Sequence, residues 1–240
     1  MRTVVVTGDS SGLGNVISRV LLERGYKVVG ISRRETDEVK TLRQEFGVNY
    51  IHIKFNLEET ENIRGLYLDH IKPNGPIYGL VNNAAFAYDD IVTNANLEML
   101  NRMYKINVMS PIMLTKYIIR DMLLNAVQGS IVHISSVSAH TGYKGLSMYA
   151  STKGALESFS KGVAREWGAK GIRSNCVAPG FMETPMSGSL SKEQKVRIYK
   201  RTSLKKATNI DTVAKTVAFL ISEESESITG TVVNVDCGTI

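Results

Sequence analysis

Short runs of aliphatic and β-branched residues alternate with longer amphipathic stretches along the whole chain. Runs such as TVVVT (3–7) have the length and residue types of buried strands, whereas residues 12–24 place apolar side chains at helical spacing. The pattern predicts strands at 3–7, 27–32, 48–54, 77–82, 130–135, 172–178 and 230–235. It predicts helices at 12–24, 37–46, 59–72, 97–125 (interrupted at Pro111), 148–169, 191–202 and 210–222.

This alternation of strands with helices of ten or more residues is typical of βαβ units, whose strands pair in parallel. Right-handed crossovers place helices on both faces of such a sheet. The predicted fold class is therefore α/β, a doubly wound parallel sheet (Rossmann fold) of about seven strands. No repeat, low-complexity tract or linker rich in Pro or Ser interrupts residues 1–240, which predicts a single domain.

Composition excludes several functions without changing this fold. Apolar residues make up 43% and charged residues 22% of the 240 residues, an ordinary globular balance. The net charge of +6, from 29 basic and 23 acidic side chains, is too small and too dispersed to favour a nucleic-acid partner. No apolar run is long enough for a transmembrane helix, and the N-terminal residues lack a signal-peptide pattern. We therefore expect a cytoplasmic protein with no membrane partner.

Metal and disulfide chemistry is not indicated by the cysteines and histidines. Cys176 and Cys237 belong to no CxxC motif, which favours reduced thiols. The four histidines show no spacing typical of metal ligands; they are His52, His70, His133 and His140. We therefore expect no metal site.

A glycine-rich turn, TGDSSGLG (7–14), follows the first predicted strand and opens the first helix. Gly8, Gly12 and Gly14 allow a tight turn and a close approach of the backbone to a ligand. The free N–H groups and the helix dipole at such a turn favour a pyrophosphate. A purely structural turn remains the alternative, but the position after the first strand of an alternating chain favours dinucleotide binding.

Tyr149 and Lys153 are four residues apart at the start of a predicted helix, so they share a helix face. An ammonium near a phenol stabilises the phenolate and lowers the phenol pKa towards the range useful for proton transfer. A surface contact is the alternative for such a pair. Ser136, however, lies at the end of a predicted strand, where α/β sheets bind their ligands. Asn107 lies within a long predicted helix, an unfavourable place for Asn unless its side chain has a role.

Six motifs occur in one order along the chain: TGDSSGLG, NNAA, KINV, HISS, YASTK and APG. Together they resemble the short-chain dehydrogenase/reductase family over the whole chain. Within that family the resemblance is greatest to 3-oxoacyl-[acyl-carrier-protein] reductases, through Ser130–Ser136, Tyr149–Gly171 and Asn175–Met186.

The resemblance implies a role for each motif residue. Tyr149 would protonate the substrate carbonyl, Lys153 would lower the pKa of Tyr149 and bind the nicotinamide ribose, and Asn107 would anchor a water in a proton relay. Ser136, Ser138 and Tyr149 would bind substrate. The implied cofactor-binding residues are Gly8, Asp9, Ser10, Ser11, Gly12, Leu13, Gly14, Arg33, Asn56, Leu57, Asn83, Ala84, Ala85, Tyr149, Lys153, Pro179, Gly180, Met182 and Thr184.

The chain departs from the family pattern at three positions. Ala85 replaces the glycine of the usual NNAG motif and narrows the space near the cofactor. Asn56 stands where many relatives have an Asp that contacts adenine, and its amide can keep that contact. Cys237 replaces a usual glycine and has no functional interpretation.

The end of the second predicted strand, Ser32-Arg33-Arg34, carries no carboxylate to bind a ribose 2′-hydroxyl. Arg33 can form charge-assisted hydrogen bonds with a 2′-phosphate, which favours NADP(H) over NAD(H). Two solvated arginines are the alternative, and Glu35 could pair with either of them. The glycine loop carries Ser11 where many NADP-dependent relatives have a second basic residue.

Three segments are expected to surround the substrate: 86–88, 138–143 and 181–207. The last one would cover the substrate, and its cations could attract an acidic carrier protein, coenzyme A or a nucleotide sugar, or simply form a solvated face. These cations are Lys192, Lys195, Arg197, Lys200, Arg201, Lys205 and Lys206. Of the two basic positions at which related reductases dock their carrier, one is kept as Lys170 and the other is Val127.

Three functions follow from these observations. The first is an NADPH-dependent reductase of carrier-bound 3-oxoacyl groups. The second is a reductase or dehydrogenase of another alcohol or ketone, such as a sugar derivative or a secondary-metabolite intermediate, and the third is a non-catalytic dinucleotide-binding protein. Family resemblance in helices 97–125 and 148–169 also implies a homotetramer.

Overall fold

Seven parallel strands form one sheet in the computed structural model, which describes residues 1–184 and 191–239. The strands are β1 (Thr3–Thr7), β2 (Lys27–Ser32), β3 (Tyr50–Lys54), β4 (Ile77–Asn82), β5 (Ser130–Ile134), β6 (Arg173–Pro179) and β7 (Val232–Val235). Their order across the sheet is β3-β2-β1-β4-β5-β6-β7, and every pair is parallel. The predicted α/β doubly wound sheet is confirmed.

Eight α-helical segments connect the strands within the described residues. They are α1 (Gly12–Glu23), α2 (Asp37–Phe46), α3 (Ile63–Gly65), α4 (Leu97–Tyr104), α5 (Ser110–Leu124), α6 (Ser147–Trp167), α7 (Lys192–Lys200) and α8 (Ile210–Ile221). The helix predicted at 59–72 is a composite, because α3 continues into a π-helical stretch, Leu66–Ile71. The helix predicted at 97–125 is interrupted earlier than expected, by the π-helical turn Lys105–Met109, and Pro111 lies in the first turn of α5.

Alternate residues of each central strand pack on opposite faces of the sheet. Val4 and Val6 of β1 belong to a core that includes α1 and α8, whereas Val5 belongs to a core that includes α5 and the α3 region. All three valines are fully buried. The continuous apolar runs in the sequence reflect this two-sided burial, which is typical of parallel sheets.

The strand order reverses between β1 and β4, because β2 and β3 lie on one side of β1 and the later strands lie on the other. Such a reversal leaves a crevice beyond the carboxyl ends of the two strands. The glycine loop follows β1, and Asn83 follows β4. The fold therefore brings these two predicted cofactor-binding segments together.

Candidate active site

The glycine loop is a tight turn between β1 and α1. Gly8 and Gly12 have φ angles of 74° and 56°, values that favour glycine. A Cβ atom at Gly14 would lie 2.1 Å from the Gly8 carbonyl oxygen, so no side chain fits there. Asn83 Nδ2 donates to the Thr7 carbonyl at 2.9 Å, which joins the loop to the end of β4.

Backbone N–H groups at the start of α1 remain available to an anion. Ser11 occupies the N-cap position, but its side chain makes no capping hydrogen bond, and the first turn contains no acidic residue. The four first N–H groups of a helix have no intrahelical partner and carry the positive end of its dipole. The loop and helix therefore fit a pyrophosphate group, as the glycine pattern predicts.

A cavity of about 310 Å³ extends from this loop across the ends of the strands. It is lined by every predicted cofactor-binding residue except Asp9 and Gly180. The lining also includes residues that were not predicted to bind the cofactor: Ile31, Ser32, Arg34, Phe55, Phe86, Ile106, Ile134 and Ser135. Phe86 belongs to the segment 86–88 expected around the substrate. Arg34 could have been found from its position beside Arg33, whereas the apolar residues carry no distinguishing signal.

Asp9 and Gly180 do not line the cavity, although both belong to matching motifs. The Asp9 carboxylate is fully buried and accepts hydrogen bonds from Tyr50 and His52 on β3. Gly180 donates its N–H to the Val235 carbonyl, and a Cβ atom there would lie 2.6 Å from the Thr208 hydroxyl. A loop residue can face inward or outward, and the motif alone does not say which.

Two exposed arginines follow β2 at one end of the cavity. Glu35, which sequence reasoning placed as a partner for either of them, instead pairs with Arg43 on α2. Within the described residues, Arg33 and Arg34 take part in no ion pair. The cavity thus ends at two guanidinium groups that no ion pair among the described residues engages, a suitable environment for a phosphate.

Lys153 lies inside the protein at the other end of the cavity, with 2% of its surface exposed. Its Nζ donates to the Ile134 carbonyl at 2.8 Å and lies 5.5 Å from the centre of the Tyr149 ring. Burial lowers the pKa of Lys153 from 10.5 to about 8, because desolvation penalises the ammonium form. The predicted pairing of Tyr149 and Lys153 on one helix face is present in α6.

The pKa of Tyr149 moves in the direction opposite to the one expected. Burial raises it, and the charge of Asp89 raises it further. The Lys153 ammonium points to the Ile134 carbonyl, and its attraction for a phenolate does not offset the desolvation of that phenolate. Tyr149 therefore keeps its proton at neutral pH, the state that a proton donor requires. Asp89, in the loop after β4, was not identified from the sequence.

Asn107 lies in the π-helical turn between α4 and α5 and is fully buried. Its Oδ1 accepts from the Phe86 N–H at 2.8 Å, and its Nδ2 donates to the Phe86 carbonyl and to the Thr152 hydroxyl. A π-turn widens the helix locally and is frequent at functional sites. These contacts explain the unfavourable Asn within a helix: it joins the loop after β4 to α6 beside Lys153.

Ser136 follows β5, is partly exposed and accepts a hydrogen bond from the Ser138 N–H at 3.2 Å. Ser138 is 3% exposed, and its hydroxyl has no hydrogen-bond partner in the described part of the chain. Ser136 therefore lies at the strand end where the motif predicted it. Ser138 lies beneath this surface.

Glu157, one turn beyond Lys153 on α6, was missed by the sequence analysis. It accepts hydrogen bonds from the Ser135 hydroxyl at 2.5 Å and from His140 Nε2 at 2.8 Å. An acidic residue on the buried face of α6, four positions after Lys153, is the signal that could have found it. His140, which lies in the segment 138–143 expected to surround the substrate, joins the segment after β5 to α6.

No group of three or more His, Cys, Asp or Glu side chains that could hold a metal ion occurs among residues 1–184 and 191–239. In the same residues, no helix combines the length and apolar character needed to span a bilayer.

Comparison with known proteins identifies the family. A family model described as Enoyl-(Acyl carrier protein) reductase matches residues 8–239. The 3-oxoacyl-[acyl-carrier-protein] reductase of Salmonella typhimurium is 33% identical over 238 residues, which are 99% of this chain and 96% of that protein. Carbonyl reductase [NADPH] 2 of Sus scrofa is 31% identical, covering 98% of this chain and 94% of that protein.

A solved structure, ElxO with NADP bound, superposes with a TM-score of 0.89 at 28% identity. The alignment covers 98% of this chain and 97% of that one. Matches in sequence and in fold thus extend over essentially the whole chain. The chain belongs to the short-chain dehydrogenase/reductase family and is an oxidoreductase that acts on alcohol or carbonyl groups.

Proposed function

We propose that the protein reduces a carrier-bound 3-oxoacyl group with NADPH. The observation that carries this proposal is the cavity that joins the glycine loop, Arg33 and the Tyr149–Lys153 pair. The similarity to the 3-oxoacyl-[acyl-carrier-protein] reductase of Salmonella typhimurium supports the substrate class. The alternative is the reduction of another ketone or the oxidation of another alcohol, and a non-catalytic dinucleotide-binding protein is the third possibility.

The chain's own residues orient the substrate and control a proton. Bound NADPH supplies a hydride to the carbonyl carbon. Tyr149 donates its phenolic proton to the carbonyl oxygen, and Ser136 holds that oxygen with its hydroxyl. Lys153 brings a positive charge to the same end of the cavity and binds the nicotinamide ribose. Asn107 joins the loop at Phe86 to Thr152 of α6 through its side-chain hydrogen bonds. It also anchors a water for the proton relay.

The remaining cofactor contacts follow from the same cavity. Backbone N–H groups of residues 10–14 hold the pyrophosphate, and Asn56 and Leu57 lie beside the adenine. Gly8 donates its own N–H to the Ile31 carbonyl at 2.8 Å, and its lack of a side chain leaves room for the phosphates. Residues 83–85 and Pro179, Met182 and Thr184 surround the nicotinamide half. All of these residues line the cavity. Asp9 and Gly180 are not proposed as direct contacts, because neither lines it.

Arg33 is proposed to select NADP(H) over NAD(H). We expect Arg33→Ala to weaken NADPH binding by about 1–3 kcal/mol, the scale of a hydrogen bond to a charged group, and to leave NADH binding nearly unchanged. Fluorescence titration of the two cofactors measures both affinities. Equal affinity of the native protein for both cofactors, or an equal loss of both in the variant, would contradict the assignment.

The charge of the segment around α7 supports a carrier-bound substrate. Residues 191–206 contain seven cations and one carboxylate, Glu193, so their net charge of +6 equals that of the whole chain. The segment contacts 138–143, another segment expected around the substrate, because Arg201 lies over the Tyr143 ring. The Tyr199 ring lies 6.0 Å from Phe181, which follows β6. A positive surface at that place attracts an acidic carrier protein.

Two thioesters of the same 3-oxoacyl group test the proposed substrate. One is carried by an acidic carrier protein and the other by a small uncharged thiol. We expect kcat/KM to be at least about tenfold higher for the carrier-bound thioester at low salt and to lose that advantage as ionic strength rises. Faster turnover of sugar or secondary-metabolite ketones would favour the alternative, and no turnover of any ketone would favour the non-catalytic protein.

We further propose that the protein is a homotetramer. Apolar residues are exposed near α4 and α5, including Leu97, 70% exposed, and Met109, 48% exposed. Phe159 and Trp167 on α6 are only partly buried. We expect sedimentation equilibrium at micromolar concentration to give about four times the chain mass of 26.4 kDa. A mass of one chain would contradict this.

The remaining proposals concern organisation and location. We propose one domain over residues 1–240, with 181–207 covering the substrate; residues 185–190 of that segment lie outside the described residues. Cys176 is a buried free thiol and Cys237 a partly buried one. Free thiols fit the proposed cytoplasmic location.

A further inference from the structure

A buried polar cluster lies directly beneath the glycine loop. Asp9 Oδ2 accepts hydrogen bonds from the Tyr50 hydroxyl at 2.5 Å and from His52 Nδ1 at 2.8 Å. The side chains of Asp9 and His52 are 0% and 2% exposed, and Tyr50 is 2% exposed. Burial and the adjacent carboxylate raise the pKa of Tyr50, so its hydroxyl stays protonated and donates.

The sheet accommodates this cluster only because β2 has a glycine at the point of contact. Gly30 pairs in register with His52 of β3, and a Cβ atom at Gly30 would lie 1.8 Å from Asp9 Oδ2. Gly30 has no positive φ angle, so its backbone does not require glycine. The space that a side chain of Gly30 would fill is occupied by the Asp9 carboxylate, which passes over β2 to reach Tyr50 and His52 on β3.

Asp9 belongs to the loop that the cofactor phosphates would contact, although its own side chain is turned away. Its neighbours Gly8 and Ser10 line the cavity. The Asp9 carbonyl accepts from Asn15 Nδ2 at 3.1 Å, and the Ser10 carbonyl accepts from Thr36 Oγ1 at 2.6 Å. These bonds join the backbone of the loop to α1 and to the residue before α2.

We propose that Asp9, Tyr50 and His52 are positioning residues that hold the glycine loop in its phosphate-binding shape. The carboxylate acts as an anchor: it attaches the loop to β3, a strand that contributes no side chain to the cavity lining. A hydrogen-bonded buried carboxylate has a single favourable position, because moving it away leaves charge and donors unsatisfied. This proposal rests on the proposed binding of NADPH at the loop.

A pair of single-atom deletions separates positioning from general stability. Tyr50→Phe removes one donor to Asp9, and Ser130→Ala removes a buried hydroxyl that donates to the Leu220 carbonyl at 2.7 Å, at the opposite end of the strands. We expect the Kd for NADPH to rise about tenfold in Tyr50→Phe and to change less than twofold in Ser130→Ala. The melting temperature of both variants reports the loss of a buried hydrogen bond.

Variants of His52 give a second, independent measurement. His52→Asn keeps an N–H donor near the position of Nδ1, whereas His52→Leu removes it. We expect NADPH affinity to be within about threefold of the native value in His52→Asn and to fall about tenfold or more in His52→Leu. This comparison stays informative if Tyr50→Phe fails to fold.

The outcomes distinguish the anchor from the proposed function. A native protein that does not bind NADPH in a direct titration contradicts the proposed function itself. A native protein that binds NADPH, with Tyr50→Phe and His52→Leu binding it equally well, overturns the anchor alone. A loss of affinity that is the same in Ser130→Ala as in Tyr50→Phe also overturns it, because the effect would then follow stability and not loop position.

Discussion

Replacing Tyr149 by phenylalanine is expected to lower turnover roughly 10²–10⁴-fold, the range for a positioned acid–base group. Hydride arrival at a carbonyl carbon leaves negative charge on the oxygen, which needs a proton. Burial raises the pKa of the Tyr149 phenol, so the proton is present at neutral pH. Phenylalanine keeps the ring and its packing but has no proton to give.

The cofactor provides the internal control for this variant. The glycine loop and Arg33 are at a distance from the phenol along the cavity, so NADPH affinity is expected to change less than about threefold. Steady-state turnover with the active ketone and direct NADPH titration measure the two quantities separately. A folded Tyr149→Phe protein with near-native turnover would remove Tyr149 from the mechanism.

The fold was predictable because its signals are local and repeated. Apolar runs such as 3–7 match β1, and the spacing of apolar residues in 12–24 matches α1 to within one residue at its end. The π-helical turn at Lys105–Met109 was not predictable from periodicity, because it depends on tertiary hydrogen bonds. Asn107 gains its partners from Phe86 and Thr152, which are distant in sequence.

The site was predictable at the level of motifs and less so at the level of single side chains. Backbone-binding positions such as Gly8 and Gly14 were placed correctly in the cavity, since their role depends on loop shape. Asp9 does not line the cavity, because the direction of its side chain depends on Tyr50 and His52 of another strand. The pKa of Tyr149 likewise depends on burial, which spacing along a helix does not encode.

Lys153→Met is expected to abolish most turnover and yet stabilise the folded protein. Methionine keeps a long apolar stem but removes the ammonium that serves the site, and we expect a loss of about 10²–10⁴-fold. At neutral pH the native chain buries that ammonium with 2% of the residue exposed. The lowering of its pKa from 10.5 to about 8 corresponds to roughly 3 kcal/mol against folding.

Part of this gain is offset, because methionine cannot donate to the Ile134 carbonyl, which Lys153 Nζ contacts at 2.8 Å. A lost hydrogen bond of this kind costs about 1 kcal/mol. We therefore expect the free energy of unfolding of the cofactor-free variant to exceed the native value by about 1–2 kcal/mol at pH 7, as measured by urea denaturation. A free energy of unfolding below the native value in Lys153→Met would contradict the view that burial of the ammonium destabilises the folded protein.

The cost of burying the Lys153 ammonium also predicts how the stability difference between the native protein and Lys153→Met depends on pH. Below pH 8, Lys153 is protonated in both the folded and the unfolded state, and the full desolvation penalty opposes folding. Between pH 8 and 10.5 the folded protein has released this proton while the unfolded chain still binds it, so the penalty from Lys153 falls and the contribution of this lysine to stability rises with pH. His133 does not titrate in this window, because burial lowers its pKa to about 3. Burial raises the pKa of Cys176 from 9.0 to about 12, so the unfolded chain releases this thiol proton within the window and Cys176 lowers stability as pH rises. This opposing contribution is shared by the native protein and Lys153→Met, so the difference between the two reports the lysine. The stability advantage of Lys153→Met should therefore shrink from pH 7 to pH 10, and a constant advantage would show that another group carries the penalty.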